Sequence, residues 1–411
     1  MGPREEVIRR QFGQFYEKNS QNITYPSHLE SREFGFLLFK EGYMVRHKSF
    51  RDYLALRDFI RMSSPSDVYY STAYYQRPED EMEKKGWIGA DLCFDIDADH
   101  LETPCKQSHD SWKCVQCGTA GFGNPPDSCP ACHAKRFEAN NWFCKECLNA
   151  SKLETLKLLA VLREDFGFQT SDLDVCFSGH RGFHVHVENR RVIGLDQSAR
   201  KEIVDYVMGT GIDLKYYGFP QDEAVRGNIR TRFDPGEPGW RGRAAKYVLD
   251  LMANLKRENL KGQGFPENTI NIILNHKDEI AKELIEKTDL RTYKRLNIRL
   301  WKKIVSLALR TRGIKIDTVV TVDIHRLIRL PYTLHRKTGF MVVVVPIDKL
   351  FDFDPFADAV AFREGTMKLH ISAAQKFEVA GNEYGPYKDE KVELPMAAAM
   401  FLLCKGLAEP L

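Results

Sequence analysis

Three groups of residues have the types and spacing to do chemistry. The first is an acidic run, GWIGADLCFDIDADH, over residues 86–100. Polar and apolar residues alternate through it, so Asp91, Cys93, Asp95, Asp97 and Asp99 fall on one side of an extended chain. Side chains of a strand repeat with period two, which sets Asp95 and Asp97 next to each other on one face. Two carboxylates that close repel each other unless a cation lies between them, and hard oxygen donors suit Mg²⁺ or Mn²⁺. The same alternation also fits a solvated edge strand that ends in an acidic turn.

The second group is LDVCFSGHRGFHVHV, residues 173–187. An apolar strand runs into Ser-Gly-His-Arg-Gly and then into a second alternating strand. Glycines at 179 and 182 allow a tight turn and close approach of a ligand. Ser178, His180, Arg181 and His184 bring hydroxyl, imidazole and guanidinium donors into a small region, a set suited to a polyphosphate. An ordinary polar hairpin tip is the plainer alternative.

The third group is cysteine-rich. Seven of the ten cysteines lie between residues 105 and 147. Cys114, Cys117, Cys129 and Cys132 form two Cys-x2-Cys knuckles, each aiming two thiolates at one tetrahedral ion in the manner of a zinc ribbon. Cys105, Cys144 and Cys147 need a fourth ligand, and His109 is the nearest candidate. Both sets are read as closed, structural zinc sites without a catalytic role, with a redox cluster or an iron–sulfur site as the alternative. Cys93, Cys176 and Cys404 sit in apolar segments and read as small buried hydrophobes.

The elements that must position these groups can be sketched. At roughly 100–200 residues per domain, 411 residues make two or three units. Residues 314–348 carry β-rich runs at 319–324 and 341–345, with Asp317 and Asp323 as candidate third carboxylates. Arg326, Arg329, His335, Arg336 and Lys337 follow as a basic stripe. Residues 199–312 read as helical, apart from a Pro/Gly/Arg-rich loop expected over 219–243. From 200 to 312 there are 23 Lys/Arg against 15 Asp/Glu, although the whole chain carries only +3. In the densest basic stretch, 291–312, Tyr293, Leu296, Leu300, Ile304 and Leu307 recur at helical spacing. The opposite, basic face suits either a phosphate backbone or solvent. The apolar runs near 340–347 and 394–404 are too short to span a bilayer, and the charged N-terminus has no secretory signature. The expectation is an intracellular chain with reduced thiols.

Taken in order, FDIDADH, the cysteine cluster, SGHRGFHVHV and RLIRLPYTLHRKTG resemble the catalytic (small) subunit of archaeal and eukaryotic DNA primase, most closely its archaeal branch. SREFGF (31–36), YMVRHKSFRD (43–52) and CKECLNASK add to the resemblance. It implies an α/β (α+β) fold. A mixed-sheet catalytic domain would comprise 1–198 and 313–411, with a helical subdomain, 199–312, between the two parts. A zinc module, 105–147, would contain the ribbon as an insertion. It implies template-directed primer synthesis on single-stranded DNA by two-metal nucleotidyl transfer from nucleoside triphosphates, with release of pyrophosphate. Asp95, Asp97 and Asp317 match the family's metal-binding aspartates. Arg46, Ser178, Arg181, His184, Arg329 and His335 match nucleotide contacts. Position 180 is His where some members carry a second arginine. Cys105, His109, Cys144 and Cys147 match the family's zinc site. A large primase subunit is the implied partner. The implied location is the cytoplasm at the archaeal nucleoid, or the nucleus in a eukaryote. Two other readings share these residues: a primase-polymerase that mainly extends primers, and a zinc-ribbon nucleic-acid-binding subunit without catalysis. A two-metal phosphatase or nuclease is a further reading of the carboxylates alone.

Overall fold

The computed structural model describes residues 2–39, 42–142, 144–214, 233–289, 293 and 295–411. The chain folds as mixed α and β in two compact units. One comprises residues 1–156, 169–201 and 316–411, the other residues 157–168 and 202–315.

The first unit holds two four-stranded sheets. In one, the strands run in the order Leu327–Arg329, Asp67–Ser71, Phe34–Leu37, Met44–Lys48. In the other the order is Val343–Val344, Leu173–Phe177, Gly182–Val187, Leu92–Asp97, and every pair is antiparallel. Leu92–Asp97 is buried at its start on both faces, where Cys93 contacts His186, and opens at Asp95 and Asp97. Gly182–Val187 is an inner strand and all six of its residues are buried. The carboxylates therefore emerge where the sheet's cover ends.

Residues 319–324 are not a strand. Thr318–Val322 is a short helix, with Asp317 as its N-cap accepting from the Val319 N–H at 2.9 Å. The cap and the surrounding packing override the β preference of a Val/Thr run. Cys93 and Cys176 lie in strands, and Cys404 lies in the helix Met396–Lys405. That helix is almost wholly buried and stops at Gly406, whose φ of +73° is the left-handed cap conformation. Lys405 is its last residue.

The ribbon is a three-stranded sheet in the order Ala120–Phe122, Ser111–Cys114, Phe137–Asn140. In the second unit, helices Gly239–Ala253, Glu267–Lys287 and Ile298–Arg312 surround Val248, Ile273, Trp301 and Ala308. The basic helix begins only at Ile298. Asn297 caps it by accepting from the Leu300 N–H at 3.0 Å, while Tyr293 and Leu296 are buried ahead of it. Arg291 and Lys294 lie outside the described residues. The loop expected over 219–243 falls outside them up to residue 232; its last part is helical from Gly239, because the run after Pro238 is rich in strong helix formers. No helix among the described residues is long and apolar enough to cross a membrane.

Candidate functional site

A cavity of about 560 Å³ opens at the carboxylate end of the second sheet. Asp95, Asp97 and Asp99 form one wall; Ser178, His180 and His184 another; Arg326, Arg329, His335, Lys337 and Lys405 line the rest. Acid on one side and cation on the other is the arrangement that a metal–triphosphate complex requires.

The carboxylate wall is set by strand register. Asp95 pairs with His184 and Asp97 with Gly182 across the two central strands. A side chain at Gly182 would come within 2.2 Å of the Ile96 carbonyl, so glycine alone permits this approach. Asp317 is tied in through its main chain, donating to the Asp95 carbonyl at 2.8 Å. Asp323 instead caps a turn at His325, and neither Asp317 nor Asp323 lines the cavity. Burial first, and then the Asp317 charge, push the Asp95 carboxyl up to about 6. Burial and then Asp99 do the same for Asp97, also to about 6. Carboxylates held at this energetic cost are the donor set a divalent cation relieves. Asp95, Asp97 and Asp317 are not drawn into a tight cluster: among the described residues only the two cysteine groups have donor atoms all within 4.8 Å of one another.

The Ser178–Gly182 turn is pinned from both sides. Ser178 N–H donates to the Gly182 carbonyl at 3.0 Å, and Thr338 Oγ1 donates to the Gly179 carbonyl at 2.6 Å. Gly179 has φ +80°, and a Cβ there would meet His335 Cβ at 2.8 Å. The rings of His180 and His335 stack 5.1 Å apart at 7°. Burial holds both imidazoles, and that of His184, well below their ordinary range, so all three are neutral. His184 Nε2 lies 3.5 Å from Asp95 Oδ1. Arg329 pairs with the buried Asp67 and lies over the Tyr69 ring.

Two residues that the primase resemblance marks as nucleotide contacts lie elsewhere. Arg46 is held in a two-pronged pair by buried Glu33, at 2.9 and 3.2 Å, and does not line the cavity. Arg181 is 1% exposed, bonded to Asp99 and Asp110, and also absent from the cavity wall. Conversely, Lys405 lines it without having been expected. Its Nζ donates to the Asn141 carbonyl at 3.0 Å, and burial followed by the charges of Arg181 and Lys337 pushes its amine down to about 7. No local pattern marks Lys405, which ends an apolar helix some 300 residues from Asp95.

Cys105, His109, Cys144 and Cys147 converge, with His109 Nε2 3.1 Å from Cys144 Sγ and Cys105 3.5 Å from Cys147. Cys114 lies 3.6 Å from Cys132, and Cys117 3.5 Å from Cys129. Thiolates bound tetrahedrally at ~2.3 Å would be about 3.8 Å apart, so both groups have the donors and the span to hold zinc. His109, the fourth ligand inferred by proximity, belongs to the first group.

Residues 126–348 match the family described as DNA primase small subunit. The DNA primase small subunit PriS of Nitrosopumilus maritimus is 31% identical over 98% of both chains. That of Methanothrix thermoacetophila is 34% identical over 98% of both, and that of Cenarchaeum symbiosum 32% over 98% of this chain and 97% of the relative. The chain belongs to the DNA primase small subunit family. Primases are nucleotidyltransferases. The family match begins inside the ribbon, after Asp95 and Asp97, whereas the full-length relatives span them as well.

Proposed function

We propose that this chain starts primers on single-stranded DNA, joining nucleoside triphosphates by metal-assisted nucleotidyl transfer and releasing pyrophosphate. The observation that carries the reading is the single cavity in which the carboxylates of Asp95 and Asp97 face Arg329, Lys337 and Lys405. Asp95, Asp97 and Asp317 would hold the Mg²⁺ or Mn²⁺ ions. When bound, these supply the charge that makes a 3′-hydroxyl nucleophilic and offsets the charge growing on the leaving phosphates.

The chain's own groups do the rest. Lys337 and Lys405 line the cavity and would neutralise a triphosphate, together with Arg329, which lines it while also pairing with buried Asp67. Ser178 and the neutral rings of His180, His184 and His335 supply uncharged hydrogen bonds, so the cavity is not overloaded with fixed positive charge. His184 Nε2 lies 3.5 Å from Asp95 Oδ1 on the same side of the paired strands, so both face the cavity. The cavity wall at Ala139, Asn140 and Asn141 continues directly from the ribbon, so folding of the zinc module shapes the nucleotide site. Zinc is structural at both cysteine groups, because four protein ligands leave no open position.

Residues 199–312 form an insertion that splits the catalytic domain into 1–198 and 313–411; unit boundaries at 201/202 and 315/316 support this, while residues 157–168 of the first part belong to the second unit. The relatives' name, small subunit, supports a large primase subunit as partner, acting with this chain on replicating DNA in an archaeal-type cytoplasm.

The test is synthesis on unprimed single-stranded DNA with Mg²⁺ or Mn²⁺, offering ribonucleotides and deoxyribonucleotides separately. Short products with pyrophosphate release are expected. Activity confined to primed templates would make the chain an extending polymerase. Strand cleavage or release of phosphate would make it a hydrolase, and DNA binding without synthesis would leave a non-catalytic subunit.

A further inference from the structure

The zinc group and the carboxylate wall are joined by an unbroken line of hydrogen bonds. His109 points Nε2 at Cys144 Sγ and Nδ1 at Asp110 Oδ1, 2.7 Å away. Asp110 is buried, and its Oδ1 also accepts from the Trp142 N–H at 2.7 Å. Arg181 Nη1 donates to both Asp110 oxygens at 3.1 Å and to the Trp142 carbonyl at 2.7 Å. Its other terminal nitrogen, Nη2, meets Asp99 Oδ1. The Asp99 N–H in turn donates to Asp97 Oδ1 at 2.9 Å. A second strand of contacts runs through the main chain. The Arg181 carbonyl accepts from the Ala98 N–H at 3.1 Å, just past Asp97, and from Ser151 Oγ at 2.9 Å. Ser151 sits one helical turn beyond Cys147 and also donates to the Cys147 carbonyl.

We infer that Asp110 and Arg181 form a bridge through which metal at the Cys105/His109/Cys144/Cys147 group sets the position of Asp97 and Asp99, so that Arg181 is a positioning residue. This rests on the reading that Asp95, Asp97 and Asp317 hold divalent cations. The physical basis is rigidity under constraint. A guanidinium 1% exposed is tolerated only while both of its carboxylates stay in place. A bound zinc fixes the His109 ring and so directs its Nδ1–H at Asp110, an outer partner whose loss in such triads typically costs 10–100-fold in metal affinity. Release of that ring frees Asp110, and Arg181 then has one fixed anchor in place of two. Asp99 and Asp97 follow because the arginine and the Asp99 N–H hold them. Any such coupling is reciprocal: a change on the aspartate side must be felt at the zinc group by the same factor.

The experiment uses the full chain and measures Mn²⁺ affinity by electron paramagnetic resonance. The variants are Asp110→Asn, Arg181→Lys and the double, with circular dichroism to establish folding. Asp110→Asn lies beyond Arg181 from the aspartates and is expected to weaken Mn²⁺ binding about fivefold or more, the usual lower end of coupling between two sites. The double variant is expected to be no weaker than the worse single, as for two parts of one connection. Mn²⁺ affinity within twofold of the parent in a folded Asp110→Asn protein overturns the bridge. A second readout covers the case in which that variant fails to fold. In protein substituted with ¹¹³Cd, Arg181→Lys is expected to shift the resonance of the three-cysteine, one-histidine site and leave the four-cysteine resonance in place. An unmoved first resonance overturns the bridge. Asp95→Asn is the separate control: if it leaves Mn²⁺ affinity unchanged, the metal reading of the aspartates fails, and the bridge falls with it.

Discussion

Asp95→Asn should make this protein more stable and inactive at once. Its carboxyl is pushed from 3.8 to about 6, first by burial and then by Asp317. A raised folded value means the protonated form favours the fold. That stability is fully present below about 4 and is lost as pH rises through 6. Each unit corresponds to about 1.4 kcal/mol, so at pH 7.5 the ionised carboxylate costs up to ~3 kcal/mol. Its side chain is 21% exposed, and solvent reduces this, so ~1–3 kcal/mol is expected. Asparagine keeps the shape and removes the charge. Without added divalent cation, the Tm of the variant should exceed the parent's by several degrees at pH 7.5, at roughly 2–4 °C per kcal/mol. The difference should vanish near pH 4, where the parent's carboxyl is protonated. Added Mn²⁺ should close the gap by raising the parent's Tm alone, since binding to the folded state stabilises by mass action. Thermal melts over a pH series, paired with nucleotide incorporation on single-stranded DNA, check this. A variant no more stable than its parent at pH 7.5 would refute the electrostatic argument. Incorporation surviving the substitution would refute the assignment of Asp95 as a metal ligand.

Three further outcomes follow from the same geometry. Lys405→Ala should raise KM for the nucleoside triphosphate roughly tenfold or more, the worth of one charge-assisted hydrogen bond, with a smaller change in kcat; steady-state kinetics separate the two. Arg329→Ala should destabilise by ~3–5 kcal/mol in denaturant titration, because it strands the buried Asp67, and Arg329→Ala/Asp67→Asn should regain most of that stability without regaining nucleotide affinity. Mass spectrometry under native conditions should find two zinc ions per chain and one in Cys117→Ser, whose lost ligand belongs to the ribbon.

Much of the site was legible because its signals are local. Strand alternation follows from backbone geometry, so Asp95 and Asp97 could be placed on one face from their spacing alone. A Cys-x2-Cys knuckle brings its own ligands together within a few residues, which is why both sulfur groups could be read as metal sites before any fold was known. The cap of a short helix competes with propensity on the same scale, and there the Val/Thr run at 319–324 misled: Asp317 starts a helix.

What the sequence by itself determined was the inventory: which carboxylates, thiols, imidazoles and cations are present, and which of them are neighbours along the chain. It could also support a family resemblance, because the order of those motifs survives without coordinates. The tertiary structure decided which charges are free to act. Arg46 and Arg181 look like ligands for phosphate in any local window, yet each is spent on a buried carboxylate, Glu33 in one case and Asp99 with Asp110 in the other. Lys405 looks like the end of a hydrophobic helix, yet its ammonium reaches the cavity. The reason is physical. The cost of burying a charge is set by partners that arrive from 71 or more residues away, as Asp110 does for Arg181, and no local pattern records their arrival.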